Sequence, residues 1–226
     1  MTIPRTRPAR LLTLLLFTVC SPGCGTTRSV YYNTWEKFGY AKRERLVDNV
    51  KEARDEQSAA KQQFASALEE FKSLTNFKGG DLEAKYNKLS KEYDRCEGSA
   101  EAVNEKITGV KRVADALFKE WQSEIGQIED DPSLQKQSRD LLERTRASYK
   151  EMITRMDAAA ATMQPVLKRF KGRVLFIKHN LNAQAIASLK GTEAELGAEI
   201  DKLIKEMEAS IAEADQFIAE LQPPKS

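Results

Sequence analysis

The sequence predicts an all-α protein: an elongated antiparallel coiled coil or helical bundle of about four long helices. Three observations carry this. Charged residues make up 31% of the chain and aromatics only 8%, and helix breakers are scarce, with four of seven prolines (Pro4, Pro8, Pro223, Pro224) at the extreme ends. Such a composition favours long helices over a mixed fold. Apolar residues recur in alternating steps of four and three, the spacing that keeps one stripe of a helix facing a neighbour. Gly, Asp and Pro cluster only where helices would stop and restart.

The first helix has no Pro between Tyr31 and Phe77, and Gly39 is its only Gly. Its stripe runs Leu46, Val50, Ala53, Gln57, Ala60, Phe64, Ala67, Phe71, Leu74. Lys78-Gly79-Gly80-Asp81 then closes it and opens the next. Gly supplies a left-handed stop, and Asp accepts from free N–H groups of the new first turn. The second stripe is Leu82, Tyr86, Leu89, Tyr93, Cys96, Ala100, Val103, Ile107, Val110, Ala114, Leu117, Trp121, with no charged residue on it. Two helices of similar length joined by a short turn form an antiparallel hairpin.

Glu129-Asp130-Asp131-Pro132 marks the next boundary, with Asp131 as cap and Pro132 in the first turn, where its missing N–H is harmless. The third helix is expected to reach about Lys190 on a looser stripe (Leu134, Leu141, Met152, Met156, Ala159, Met163, Val166, Phe170, Val174, Ile177, Leu181). Pro165 should kink or divide it near Met163. Gly191 would end it, and Thr192-Glu193-Ala194-Glu195 would form a capping box for the fourth helix. The buried stripe there is Leu196, Ile200, Leu203, Met207, Ile211, Ala214, Ile218, Leu221, and Pro223-Pro224 stops it. The helical domain spans 31–222, leaving 223–226 as a disordered tail.

The amino terminus sets the address. Arg5, Arg7 and Arg10 precede an apolar run from Leu11 to Val19, too short to span a bilayer, and small residues follow. Ser21-Pro22-Gly23-Cys24-Gly25-Thr26-Thr27 resembles a lipoprotein processing site. Residues 1–23 are therefore expected to be a removed signal peptide. Cys24 would be the acylated first residue, and 24–30 a short tether to the membrane. The alternative is ordinary cleavage nearby and a soluble periplasmic protein. Gly25 lacks the Asp associated with inner-membrane retention, which favours the outer membrane, facing the periplasm. Loss of the three arginines takes the formal charge from +2 to −1, without a global pull toward nucleic acid. Cys96 would then be the only free thiol, so no internal disulfide is expected, and a small buried side chain is the expectation there.

Candidate binding chemistry lies in one stretch. From Ala158 to Thr192 there is no Asp or Glu, while Lys168, Arg169, Lys171, Arg173, Lys178 and Lys190 are all basic, with Phe170, Val174, Leu175, Phe176 and Ile177 between them. This could meet anionic lipid head groups or another acidic envelope polymer. The favoured reading is charge matching inside the protein, because Glu193–Leu221 carries nine acids against Lys202 and Lys205 and must fold back on this segment. Within it, Asn180 and Asn182 should fix register between helices through side-chain hydrogen bonds, beside His179, the chain's single His. One His cannot build a zinc site or a paired Glu-x-x-His di-iron site, so neither a metal nor a cofactor is expected. Nucleophilic chemistry by Cys96 with His179 would need a pocket, whereas Cys96 falls on a helix seam. Lys42, Arg43 and Arg45 could touch phospholipid, though a solvated helix face is the commoner explanation. Tyr31, Tyr32 and Trp35 would rest at the bilayer interface or cap the bundle.

Four separated blocks carry a resemblance. Tyr31-Tyr32-Asn33-Thr34-Trp35-Glu36-Lys37-Phe38-Gly39 with Lys42-Arg43-Glu44-Arg45-Leu46-Val47-Asp48 opens it. Asn76-Phe77-Lys78-Gly79-Gly80-Asp81-Leu82 and Leu117-Phe118-Lys119-Glu120-Trp121 follow, and Leu175-Phe176-Ile177-Lys178-His179-Asn180-Leu181-Asn182-Ala183 is the most distinctive. Over nearly all of the mature chain the sequence resembles the bacterial domain of unknown function 2959 family, uncharacterised helical lipoproteins. That resemblance implies a secreted or lipid-anchored helical protein and brings no activity, cofactor or functional residue. The expectation is a non-catalytic, lipid-anchored coiled-coil envelope protein acting as a scaffold or interaction module. Its partners would be the membrane through the lipid and another envelope protein or a second copy, with no nucleic acid and no small-molecule substrate. The rival is a membrane-lipid-binding protein using 168–190.

Overall fold

The computed structural model describes residues 26–222, with side chains from Ala41 onward except Ala183. The expected signal peptide 1–23, Cys24 and the expected tail 223–226 lie outside the described residues, as do the side chains of Tyr31, Tyr32 and Trp35. Five helices follow in order: α1 (Thr26–Thr75), α2 (Leu82–Ile125), α3 (Pro132–His179), α4 (Ala183–Ser188) and α5 (Lys190–Leu221). No strand occurs among the described residues. α1 passes from a short amino-terminal unit ending at Lys37 into the main unit, which begins at Phe38 and holds the other four helices.

The main unit is an antiparallel bundle of α1, α2, α3 and α5, and cross-helix ion pairs give its order. Lys106 of α2 reaches Glu52 of α1 at 2.8 Å and Lys88 reaches Glu70 at 2.5 Å. Lys111 of α2 meets Asp157 of α3 at 2.7 Å, and Arg169 of α3 meets Glu199 of α5. Arg54 and Lys61 of α1 close the ring on Asp215 and Glu208 of α5 at 2.6 and 3.2 Å. Lys171 with Glu97 and Arg173 with Glu195 add a second pair between α2 and α3 and between α3 and α5, and across each interface one number rises as the other falls, so each helix runs opposite to both neighbours. Exposed pairs of this kind contribute at most about 1 kcal/mol each. The stability comes from what lies between them.

All nine expected seam residues of α1, from Leu46 to Leu74, are buried, including polar Gln57. On α2 the run from Leu89 to Leu117 is buried, while Leu82, Tyr86 and Trp121 at its ends are half-buried. Alanines at 53, 60, 67, 100 and 114 are buried on these seams among larger residues. Each large side chain removed from water contributes roughly 1.5–3 kcal/mol. Gln57 is accommodated by Ser210 of α5, whose hydroxyl donates to Oε1 at 2.8 Å, while its amide points to the Met156 carbonyl at 3.5 Å. A polar layer that joins α1, α3 and α5 disfavours sliding one helix past another. Ser210 holds the buried position expected for Ile211, which is half-buried instead.

The turns follow local chemistry. Gly79 and Gly80 have φ of +134° and +113°, a region that side chains disfavour. Asp81 accepts from the Ala84 amide at 3.0 Å, and Asp131 accepts from the Leu134 amide at 2.9 Å with Pro132 behind it. α3 continues through Pro165 rather than dividing there: Pro165 and Ala161, whose carbonyl loses a donor, are both exposed, so water can take up that carbonyl.

Two expectations about α3 require correction. It ends at His179, not near Lys190. Asn180 is its cap, with its amide on the Phe176 and Ile177 carbonyls and its side chain on the Phe176 carbonyl at 3.0 Å. Asn182 then accepts from the Ala185 amide at 2.9 Å to start α4. The two Asn thus stop one helix and open another, and they bridge no pair of helices. Gly191 and Thr192 lie inside α5, so the expected capping box does not form. The Thr192 hydroxyl donates to the Leu189 carbonyl, and the Glu193 carboxylate accepts from Thr75 of α1 at 2.5 Å.

The second correction concerns the start of α3. Leu142 and Thr145 are buried, whereas Leu134 and Leu141 are 50% and 42% exposed. They share the helix flank that, seven-residue steps later, carries Arg169 against α5. With Tyr149 in contact with Phe217 at 6.2 Å, α5 runs out at Leu221, roughly opposite Thr145. Beyond that level the flank has no α5 to cover it.

Candidate interaction surface at the end of α3

The last four turns of α3 sort the acid-free segment by helical face. Phe170, Val174 and Ile177 point inward and are buried. Phe170 stands edge-on to Phe71 of α1 (6.0 Å, 79°) and to Tyr93 of α2 (5.6 Å, 90°), locking three helices at one level. On the flank toward α5, Arg169 pairs with Glu199, and Arg173 lies 3.6 Å from Glu195. On the flank toward α2, Lys171 lies 3.5 Å from Glu97 and 6.0 Å from the Tyr93 ring. The same Glu97 accepts from the Tyr93 hydroxyl, and burial followed by this carboxylate raises the phenol's pKa.

Charge matching therefore uses half of the six basic residues. Lys168, Lys178 and Lys190 are exposed, and no carboxylate lies within 4 Å of any of them among the described residues. On the same stretch Leu175, Phe176 and Leu181 are 45%, 40% and 39% exposed, while Lys190, the first residue of α5, lines a groove with Lys72 of α1 and with Glu193 and Asp201. Gly172, next along this outer surface, has nothing within 4 Å of where a Cβ would stand. His179 is exposed at the last turn. Of the expected interaction residues, Lys168, Lys178 and His179 thus share an outward surface, Arg169, Lys171 and Arg173 are engaged by neighbouring helices, and Asn180 and Asn182 shape the turn. The spacing of the apolar stripe predicts a buried Leu181, which is exposed instead. Ending α3 at His179 puts it in the turn, outside that periodicity.

The other groups singled out do not converge. Cys96 is fully buried, and its thiol donates to the Gln63 carbonyl at 3.6 Å. Burial pushes its pKa up to about 12, and it has no contact with exposed His179. Among the described residues no group of three His, Cys, Asp or Glu is placed to hold a metal ion, and no helix is long and apolar enough to cross a membrane. Lys42 pairs with Glu120 and Arg43 stacks over Trp121 at 5.7 Å, so both pin α1 to α2, while Arg45 is exposed. Glu92 is buried, and its carboxylate accepts from Gln63 (2.6 Å), Ser66 (3.3 Å) and Arg95 (2.7 Å). It holds α2 to α1. Neither sequence pattern nor charge marked Glu92 or Ser210. Each became visible only once its partner on another helix was in place.

No curated protein and no solved structure matches the chain. One family model does match, over residues 31–221, which takes in the whole bundle and all four blocks that carry the resemblance. The chain belongs to the family described as protein of unknown function (DUF2959).

Proposed function

We propose that the protein is a non-catalytic component of the cell envelope, lipid-anchored at Cys24, that works as a scaffold or interaction module. The observation that carries this reading is the pair of long, regular apolar seams on α1 and α2, buried in a packed helical bundle that follows a leader-like amino terminus. The leader-like residues before Cys24 support an address outside the cytoplasm, with the outer membrane favoured, and the buried, protonated Cys96 argues against thiol chemistry. Another envelope protein or a second copy is the partner such a module would hold, with the lipid keeping it at the membrane.

The test is the chemistry of the mature amino terminus. Mass spectrometry of protein recovered from its native cells should find a chain that begins at an acylated Cys24. A Cys24→Ser variant should move from the membrane fraction to the soluble one. Recovery of wild-type chain with residues 1–23 still attached, or with an unmodified terminus in the soluble fraction, would contradict the anchored reading.

A further inference from the structure

We infer that the outer surface at the carboxy-terminal end of α3, with the turn that follows, docks onto an anionic phospholipid bilayer. This goes beyond the anchored-module reading and does not depend on acylation of Cys24. Five large apolar side chains are exposed among the described residues, and three of them, Leu175, Phe176 and Leu181, fall within seven residues of chain at this end. No Asp or Glu interrupts the sequence from Ala158 to Thr192, so the apolar group is surrounded on its own segment by cations alone. Exposed apolar side chains flanked by lysines match a head-group layer: the hydrocarbon sinks to the acyl boundary, and the ammonium groups stay level with the phosphates.

The kind of cation decides between a bilayer and a protein. Arg169 and Arg173 are engaged by acids of α5, and what remains free is Lys168, Lys178 and Lys190. Protein interfaces are enriched in Arg and depleted in Lys, because a planar fork meets a fixed acceptor well and a flexible ammonium does not. A fluid array of phosphates has no fixed acceptor geometry, so mobile point charges suit it. Three side chains and a few lysines give weak, reversible, salt-sensitive attachment, of the sort that supplements another membrane signal. Gly172 leaves the helix surface low between Lys168 and Leu175.

The experiment uses the chain from Cys24 to Ser226 with Cys24→Ser, so that no acyl group contributes, floated with vesicles of phosphatidylglycerol and phosphatidylethanolamine or of phosphatidylcholine alone. The protein should rise with the anionic vesicles at low salt, rise far less with the neutral ones, and be released by salt. Leu175→Ser/Phe176→Ser/Leu181→Ser should lower the bound fraction by about tenfold, and Lys168→Glu/Lys178→Glu/Lys190→Glu by at least as much. Leu134→Ser/Leu141→Ser, an equal kind of apolar loss at the opposite end of α3, should float like the parent. Circular dichroism checks that each variant keeps its helices, and the lysine variant decides if the apolar one does not. The inference is overturned if the parent stays with the unbound fraction, if neutral vesicles carry it equally, or if the lysine variant floats unchanged. It is equally overturned if the surface captures a protein while ignoring lipid. Any of these would leave the acylation test of the anchored reading untouched.

Discussion

Phe170→Ala is expected to lower unfolding stability by about 3–5 kcal/mol, whereas Phe176→Ala changes it by less than about 0.5 kcal/mol. The two rings lie six residues apart in one basic, acid-free stretch, so composition does not separate them. Phe170 is fully buried between Phe71 and Tyr93, and truncation leaves a cavity that α1, α2 and α3 cannot all close around. Phe176 is 40% exposed and already meets water. For a domain of this size the loss at Phe170 corresponds to a melting shift of about 10 °C. Urea denaturation of the two variants side by side reads the difference. Equal effects would place the register of α3 wrongly.

Alkaline pH is expected to destabilise the bundle in two stages, starting where few proteins lose carboxylate interactions. Cys96 has an ordinary pKa of 9.0 that burial pushes up to about 12 in the folded chain. Between those values the folded state keeps a proton that the unfolded state has released, so stability falls as pH rises. The contribution is fully present below pH 9 and declines through the window to about 12, by roughly 4 kcal/mol in all. Tyr149 adds to this above pH 10: burial first, then Asp115 and Asp157, push its phenol up to about 12. Tyr93 moves in the same direction. The urea midpoint should therefore be flat from pH 7 to about 8.5, fall from 9 onward, and steepen past 10. Cys96→Ala should remove the first stage and keep the second. A parent midpoint unchanged between pH 8.5 and 10 would mean that the thiol is hydrated.

The seams of α1 and α2 were legible because each residue on them answers to one rule: four-and-three spacing with no charge allowed. α3 obeyed that rule less strictly, and the reasons are physical. Leu134 and Leu141 sit on its periodic flank, yet α5 is too short to cover them, and the length of another helix is not written in the local pattern of this one. Leu181 failed as a core residue because two Asn side chains satisfied backbone groups more favourably than one more helical turn would have. Thr192 and Glu195 had the spacing of a capping box, but α5 already begins at Lys190, and Glu195 lies 3.6 Å from Arg173 of α3. The basic surface was visible as a run of charge. Which cations the bundle uses and which it leaves free depended on where Glu97, Glu195 and Glu199 arrive, information held by α2 and α5 alone.

The ring order of the helices underlies all of this, because α5 must lie between α1 and α3 to claim the arginines and leave the lysines. Paired cysteines with a short bismaleimide linker test it in the Cys24→Ser chain, where Cys96 is buried and unreactive. Lys61→Cys with Glu208→Cys should crosslink within one chain in high yield, since the parent side chains meet at 3.2 Å, while Lys61→Cys with Asp157→Cys, which face different grooves, should not. Efficient coupling of the second pair and none of the first would show that α5 packs elsewhere, and the surface assigned to the end of α3 would lose its basis.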